Sequence, residues 1–482
     1  MAKSSGYQIA RQALIAGMVA MATTPVLADD LREALVMAYN TNPTLQGARA
    51  QQRAVDEGVP IARSAGLPSV SGTATYSEFV EGSTDNPLAP QRNLDATVNL
   101  GMPIYAGGGI RNSIQAAKTR VAAGQADLRG VETGVFSQVV ASYMDVILAE
   151  AVVKLNRANV QRLNVNLQAT RDRFEIGDLT RTDVAQSESR LALAQGQTRS
   201  AEANLIAARE RYIQVVGKAP QNLATPPALL GLPTSADDAV AIALDSNPDL
   251  IAARQRSKAA GYDTAAANAR RLPQVGVFAS SGYNDFLGSN RIPGAVQSTT
   301  DTTVGVRATV PLYQGGLPSA QKRQAQAREG ATLEQEIGVE REVIASVRAA
   351  FAQWQAAQSL TLSSQTAVAA AELSLEGVRA ENTVGNRTIL DILNAENELL
   401  NAQVQLVTAK RNAYVAGFNL LAAMGKAEAR DLGLDGGTLY DPDVNYRRAR
   451  GSIFDWNDNP DPKPVSTRTV DTRAQDGSVT GD

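Results

Sequence analysis

The stretch Pro103-Ile104-Tyr105-Ala106-Gly107-Gly108 recurs as Pro311-Leu312-Tyr313-Gln314-Gly315-Gly316, 208 residues further along the chain. The same shift of 208 carries Gly177, Thr180 and Asp183 onto Gly385, Thr388 and Asp391, and Gly217-Lys218 onto Gly425-Lys426. Upstream the shift is 205, carrying Asn42-Pro43-Thr44-Leu45 onto Asn247-Pro248-Asp249-Leu250, Arg49 onto Arg254, and Leu67-Pro68 onto Leu272-Pro273. Chance does not hold an offset over that distance, and the change of three residues falls in the loops between strands. A repeat this long marks a duplicated half-domain rather than a solenoid unit. The halves are residues 29–218 and 236–426, joined by 219–235 and followed by an extension over 427–482.

Each half has the same internal order: a helix (30–66 and 236–271), a Pro, two strands, then a very long helical stretch. Over 94–104, Leu94, Ala96, Val98, Leu100, Met102 and Ile104 take one face of a strand, and Asp95, Thr97 and Asn99 the other. Over 302–312, Val304, Val306, Ala308, Val310 and Leu312 oppose Thr303, Arg307 and Thr309. The first strand of each pair, at 69–77 and 275–283, alternates less cleanly. Period-2 alternation over about ten residues suits a tilted strand with lipid on one face and water on the other. The same alternation also fits a half-buried soluble sheet. Four strands cannot close a barrel alone, however, and these sit between enormous helices.

No Pro interrupts 109–174, a stretch rich in Ala, Gln, Val and Leu. At 1.5 Å per residue such a helix runs about 100 Å. Gly177 ends it, and a return helix follows to Val216; the second half repeats this from Leu317 to Asn382 and from Thr388 to Met424. Helices this long, without an apolar surface all round, pack as coiled coils with neighbours. Oligomerisation is implied.

Composition narrows the function. The 482 residues carry a formal net charge of -3, with no basic excess to recruit a nucleic acid. The sequence has no Cys and no His, so thiol and His-based catalysis, disulfides and the usual zinc sites are excluded. No metal or cofactor site is expected. Residues 1–28 read as a secretory signal: Lys3 and Arg11 precede an apolar run from Ala13 to Ala22, and Val26 and Ala28 supply a small −3/−1 pair. No later stretch reaches the ~20 apolar residues of a spanning helix, so membrane insertion is expected through strands.

The two hairpin tips, Arg173-Phe174-Glu175-Ile176-Gly177 through Thr182-Asp183-Val184 and Val384-Gly385-Asn386-Arg387-Thr388-Ile389-Leu390-Asp391-Ile392-Leu393, with the two Pro-(Ile/Leu)-Tyr-x-Gly-Gly turns, closely resemble the TolC family of outer-membrane efflux proteins. The resemblance covers residues 30–426. It implies an α+β membrane protein: a homotrimer, each protomer giving four strands to a twelve-stranded β-barrel that continues as a periplasmic α-helical coiled-coil tunnel. The implied function is a passive outer-membrane exit duct for drugs or secreted proteins. It would be docked by a periplasmic adaptor and an inner-membrane RND or ABC transporter, and would do no chemistry of its own. Closure of the sheet in a trimer removes edges that lipid would not tolerate. A trimeric adhesin with a coiled-coil stalk is the alternative; such proteins keep their strands at the C-terminus, not mid-chain in both halves.

The resemblance also assigns a gate. It implies that Arg387 constrains the tunnel entrance through Thr182 and Asp183, and that Asp391 faces the pore. Two positions depart from the family pattern: its gate Tyr falls on Asn382 and its second acidic ring on Asn394, so a weaker closed state and poorer cation binding are expected. Glu398, two helical turns beyond Asp391, offers a partial substitute. On residue chemistry alone, Asp183 and Asp391 also suit helix N-termini, where a carboxylate favours the dipole. Gly107-Gly108 and Gly315-Gly316 mimic phosphate loops but lack a following Lys-Ser/Thr; tight strand-to-helix turns needing positive φ account for them. The tail beyond Gly436, rich in Asn, Asp and Pro, is expected to run extended over the tunnel waist and then lose order.

Overall fold

The structure, a computed structural model, describes residues 30–80, 90–290, 293–434 and 439–479. The proposed signal segment 1–28 lies outside these. Along the chain run α1 (Leu31–Thr41), α2 (Pro43–Asp56), α3 (Gly58–Ser64), β1 (Ser69–Glu78), β2 (Arg92–Ala106), α4 (Gly109–Glu175) and α5 (Arg181–Val216). The second half gives α6 (Ala236–Ser246), α7 (Pro248–Ala269), β3 (Gln274–Asp285), β4 (Ser298–Thr309), α8 (Leu317–Thr383) and α9 (Ile389–Ala423), and the extension adds α10 (Pro442–Gly451).

The leading helix of each half, expected to be continuous, is broken at its Asn-Pro. Pro cannot donate within a helix but suits its first position, so the chain ends one helix and starts the next. Asn42 Oδ1 accepts from Thr44 N and Leu45 N, at 2.9 and 3.4 Å, and Asn247 caps α7 through Asp249 N and Leu250 N at 3.0 and 3.2 Å. Each Asn then donates its Nδ2 to the end of the returning helix, Asn42 to Val215 O and Asn247 to Ala423 O, both at 2.9 Å. The duplicated Asn thus fastens the start of each half to its finish.

The four strands form one antiparallel sheet in the order β1-β2-β3-β4, so the β2–β3 pairing joins the halves and β1 and β4 are its edges. The register sorts the side chains by face. Val70, Leu100, Ala279 and Val304 form one cross-strand row, with Met102, Val277 and Val306 beside it; Ser71, Asn99, Ser280 and Thr303 form a row on the opposite face. Val70, Val98, Val304 and Val306 are exposed in the single protomer, as lipid-facing residues should be. β3 reads irregularly because Phe278 sits on the polar face. Gly305 opposite leaves space for its ring, where a Cβ would lie 2.9 Å away, and the Arg307 guanidinium covers it at 4.7 Å. β4 begins and ends earlier than the alternation suggested, leaving Val310 and Leu312 outside it.

The main core lies where the long hairpins meet the leading helices: Phe136, Val139, Val140 and Tyr143 of α4 pack with Leu205 and Tyr212 of α5, Val347 of α8 and Phe418 of α9. Among the described residues one helix, α4, is long and apolar enough to cross a membrane, which the sequence reading had not allowed for. Its largest apolar side chains in that stretch, Phe136, Tyr143 and Met144 among them, are buried in this core, so the stretch serves as core helix. Its duplicate α8 is the opposite case, leaving Leu333, Ile337, Leu360, Leu362 and Leu373 exposed.

The described part of the extension lies against the helices. Arg49, buried beneath it, stacks between the rings of Tyr39 and Tyr440 at 4.2 and 5.0 Å. Further on, Asp476 O accepts from Arg209 Nη1 at 2.9 Å and Gly477 O from Arg157 Nη2 at 3.1 Å, with Val479 buried. Arginines projecting from α4 and α5 satisfy the tail's carbonyls, which replaces the core a polar segment cannot build.

Candidate functional site at the hairpin tips

The helices turn at the two tips through one duplicated geometry. Gly177 (φ 77°) and Gly385 (φ 81°) take the left-handed conformation that ends a helix. At the first tip Gly177 N donates to Phe174 O and Asp178 N to Arg173 O, at 3.0 and 2.9 Å. At the second, Gly385 N donates to Asn382 O and Asn386 N to Glu381 O, both at 3.0 Å. The return helices open on matching capping boxes: Thr180 Oγ1 accepts from Asp183 N at 3.3 Å while Asp183 Oδ2 accepts from Thr180 N at 2.9 Å, and Thr388 and Asp391 repeat both distances. The Thr hydroxyl and backbone N–H hold both aspartates below the usual carboxylate range.

The tips differ in charge. Arg173 of the first is replaced by Glu381 in the second, and each pairs across its own turn. Arg173 Nε meets Asp178 Oδ2 and Arg387 Nε meets Glu381 Oε2, both at 2.7 Å. The Glu381 carboxylate holds the Arg387 guanidinium above its ordinary value. Within one protomer, therefore, Arg387 bonds neither Thr182 nor Asp183, the partners the family pattern implied: Glu381 is nearer along the chain and Asp183 is occupied by its cap. Thr182 is exposed. Asn382 Nδ2 donates to Arg387 O at 2.6 Å, and Asn394 Oδ1 accepts from Arg190 Nη2 at 2.9 Å, linking α9 to α5. Ile176 and its duplicate Val384 stand out as apolar knobs, 80% and 70% exposed.

One group escaped the sequence reading. Glu396 is 1% exposed, and its carboxylate accepts from Arg379 Nη2 at 2.7 Å and from Asn166 Nδ2 at 2.9 Å to each oxygen. It ties α4, α8 and α9 together above the tips. Leu393, on the same helix, packs with Leu163, Leu167 and Leu191 of the first hairpin. At the other end of the hairpins, Gly107 (φ 60°) and Gly108 (φ 79°) turn β2 into α4, and Gly315 and Gly316 repeat these angles at 59° and 79°. A Cβ on Gly107 would lie 2.7 Å from Ala269 O and Leu272 Cβ, so these glycines serve a close turn.

The model of the family described as outer membrane efflux protein matches residues 34–218 and 239–426. The chain belongs to that family. A curated relative, outer membrane efflux protein BepC of Brucella suis, is 35% identical over 448 residues, covering 92% of this chain and 96% of its own. Outer membrane protein TolC of Vibrio cholerae is 26% identical over 417 residues, covering 85% and 94%. Among solved structures, the outer membrane protein VceC of Vibrio cholerae superposes with a TM-score of 0.70 at 22% identity, over 82% of this chain and 96% of that one. This outer membrane efflux protein is an outer-membrane channel: its four strands are one third of a trimeric twelve-stranded barrel, and its hairpins build the periplasmic tunnel. The adhesin alternative is set aside.

Proposed function

We propose that this channel is a passive exit duct for drugs or secreted proteins. A periplasmic adaptor and an inner-membrane RND or ABC transporter engage its tips, the energy comes from that partner, and the chain itself is not an enzyme. The observation that carries the reading is the pair of duplicated tips. Each is made rigid by its own caps and ion pair, yet each holds an apolar residue, Ile176 or Val384, out in water. A rigid frame presenting an unpaired apolar knob is built for an apolar partner surface. Arg387, Asp391, Thr182 and Asp183, with Asn382 and Asn394, form the entrance constriction in this reading, with contacts between protomers replacing the Arg387–Glu381 pair when the entrance is closed.

Deleting the gene is expected to raise the host's sensitivity to detergents and hydrophobic drugs, or to stop export of a secreted protein. Wild-type chain should restore the phenotype; Ile176→Asp/Val384→Asp should assemble normally and fail to restore it. Absence of both phenotypes in a host with no other duct of this family would overturn the transport assignment.

A further inference from the structure

The extension carries an apolar cluster that the duct reading does not use. Beyond α10, Ile453, Phe454 and Trp456 are 56%, 77% and 94% exposed. Single exposed apolar residues are ordinary; three within four positions, at the apex of one loop, are a patch. Trp456 is one of two Trp in the chain, and the other, Trp354, packs on Phe351 with ring centroids 5.8 Å apart.

The contacts of α10 give the loop's direction. At its start, Asp443 Oδ1 accepts from Gln125 Nε2 at 2.9 Å. Further along, Asp56 Oδ2 accepts from Asn445 Nδ2 at 2.6 Å, and Tyr446 packs with Val59, Ala117 and Val121. At its end, Arg450 O accepts from Arg63 Nη1 at 3.1 Å. Its partners on α4 thus descend in number toward Gly109, and those on α2 and α3 rise toward Ser69, which are the residues where the helices meet the barrel. α10 climbs toward the membrane. Gln125 lies about 24 Å below Gly109, and ten helical residues climb about 15 Å of that. The three extended residues before the turn, Ser452 to Phe454, reach up to roughly 10 Å more. The chain turns at the apex, with Asn457 N donating to Phe454 O at 3.3 Å, and returns to α10 where Asn459 accepts from Arg448. The apex is therefore within reach of the barrel's periplasmic rim.

We propose that Phe454 and Trp456, with Ile453, sit in the phospholipid leaflet that faces the periplasm, as a peripheral foot beside the barrel. Trp favours this level of a bilayer, where the ring is buried and the indole N–H stays hydrated, and Phe454 and Ile453 add apolar area beside it. Below the apex Arg447 pairs with Asp441, Arg448 with Asn445 and Asn459, and Arg450 covers the Tyr446 ring, while Asp455 and Asp458 keep the apex shallow. The inference rests on the outer-membrane location and not on what the duct carries.

The test uses Trp354→Phe trimers in phosphatidylethanolamine–phosphatidylglycerol liposomes, leaving Trp456 as the only indole. Its emission should be blue-shifted, lost to phospholipids brominated near the glycerol, less affected by lipids brominated deep in the chain, and shielded from aqueous acrylamide. Adding Phe454→Ser should restore acrylamide quenching while the trimer keeps its mass. Free quenching by acrylamide with no loss to brominated lipid would overturn the proposal. So would shielding from both quenchers, which would place the apex against protein.

Discussion

Arg379 on α8 reaches Glu396 on α9 at 2.7 Å, and the carboxylate it meets is almost wholly shut off from water. The arginine is half exposed, so the pair is a buried anion held by a cation anchored at the surface. Removing one partner of a buried pair costs about 3–5 kcal/mol when the remaining charge is stranded. Arg379→Ala leaves Glu396 with Asn166 alone, and the partial exposure of Arg379 brings the expected cost toward the lower end. Glu396→Gln strands nothing, since Arg379 can turn to solvent, and should cost less. Thermal unfolding of the periplasmic region, or its sensitivity to trypsin, should rank wild type above Glu396→Gln and Glu396→Gln above Arg379→Ala.

At the entrance the two possible partners of Arg387 are separable. Arg387→Ser is expected to raise single-channel conductance in a planar bilayer. Glu381→Gln, which releases Arg387 from its own tip without removing it, should leave conductance at or below the wild-type level. Equal rises in both variants would place the constraint in the Arg387–Glu381 pair and not between protomers. Asp391→Ala should leave resting conductance near wild type and weaken block by trivalent cations from the periplasmic side.

Acid should loosen the tips and not the core. Asp183 and Asp391 have depressed values in the folded chain. Their caps are therefore fully formed above the ordinary Asp range and lost as pH falls through the depressed values. Glu132 runs the other way: burial raises its value, although it accepts from Ala429 N at 2.7 Å. Stability is lost as pH climbs from the ordinary Glu value through the raised one. Hydrogen exchange at Asp183 N and Asp391 N, corrected for intrinsic rate, should accelerate only in acid. Glu132→Gln should stabilise the waist near neutral pH, by a margin that fades on acidification.

In the sheet, Gly305→Ala should lower the heat resistance of the trimer, because its Cβ meets the Phe278 ring at 2.9 Å. Phe278→Ala should recover much of the loss when combined with it. Overpacking of this kind costs about 1–3 kcal/mol, and the cycle assigns it to the pair. Additive losses would show that the glycine matters for the backbone alone.

The duplication, the long helices, the tips and the strand-to-helix turns were legible because each is written in local chemistry: Gly where φ is positive, Thr-x-x-Asp at a helix start, alternation along a strand. What escaped was decided between distant segments. Glu396 reads as one more polar residue on a helix until Asn166, far away in the other half, is brought beside it. Phe278 disrupts an alternation that only Gly305 across the sheet explains. The Asn-Pro pairs were visible as repeats, but their bond to the end of the returning helix depends on the hairpin having closed. The proposed gate partners of Arg387 would lie on neighbouring copies of the chain, and no local pattern encodes such contacts.

The unequal fates of α4 and α8 bear on how the channel is made. One copy of the duplicated helix is spent on the protomer's own core; the other leaves its leucines outside, beside a sheet with two unpaired edges. A lone chain crossing the periplasm is thus a sticky intermediate with no comfortable resting form, since unpaired edges and apolar stripes recruit whatever they meet. Folding and assembly become one concentration-dependent event. Yield should rise more steeply than expression at low levels and collapse into aggregates when insertion at the membrane falls behind. Escort factors that shield strand edges should then limit production of this protein more than the intrinsic speed of its helices.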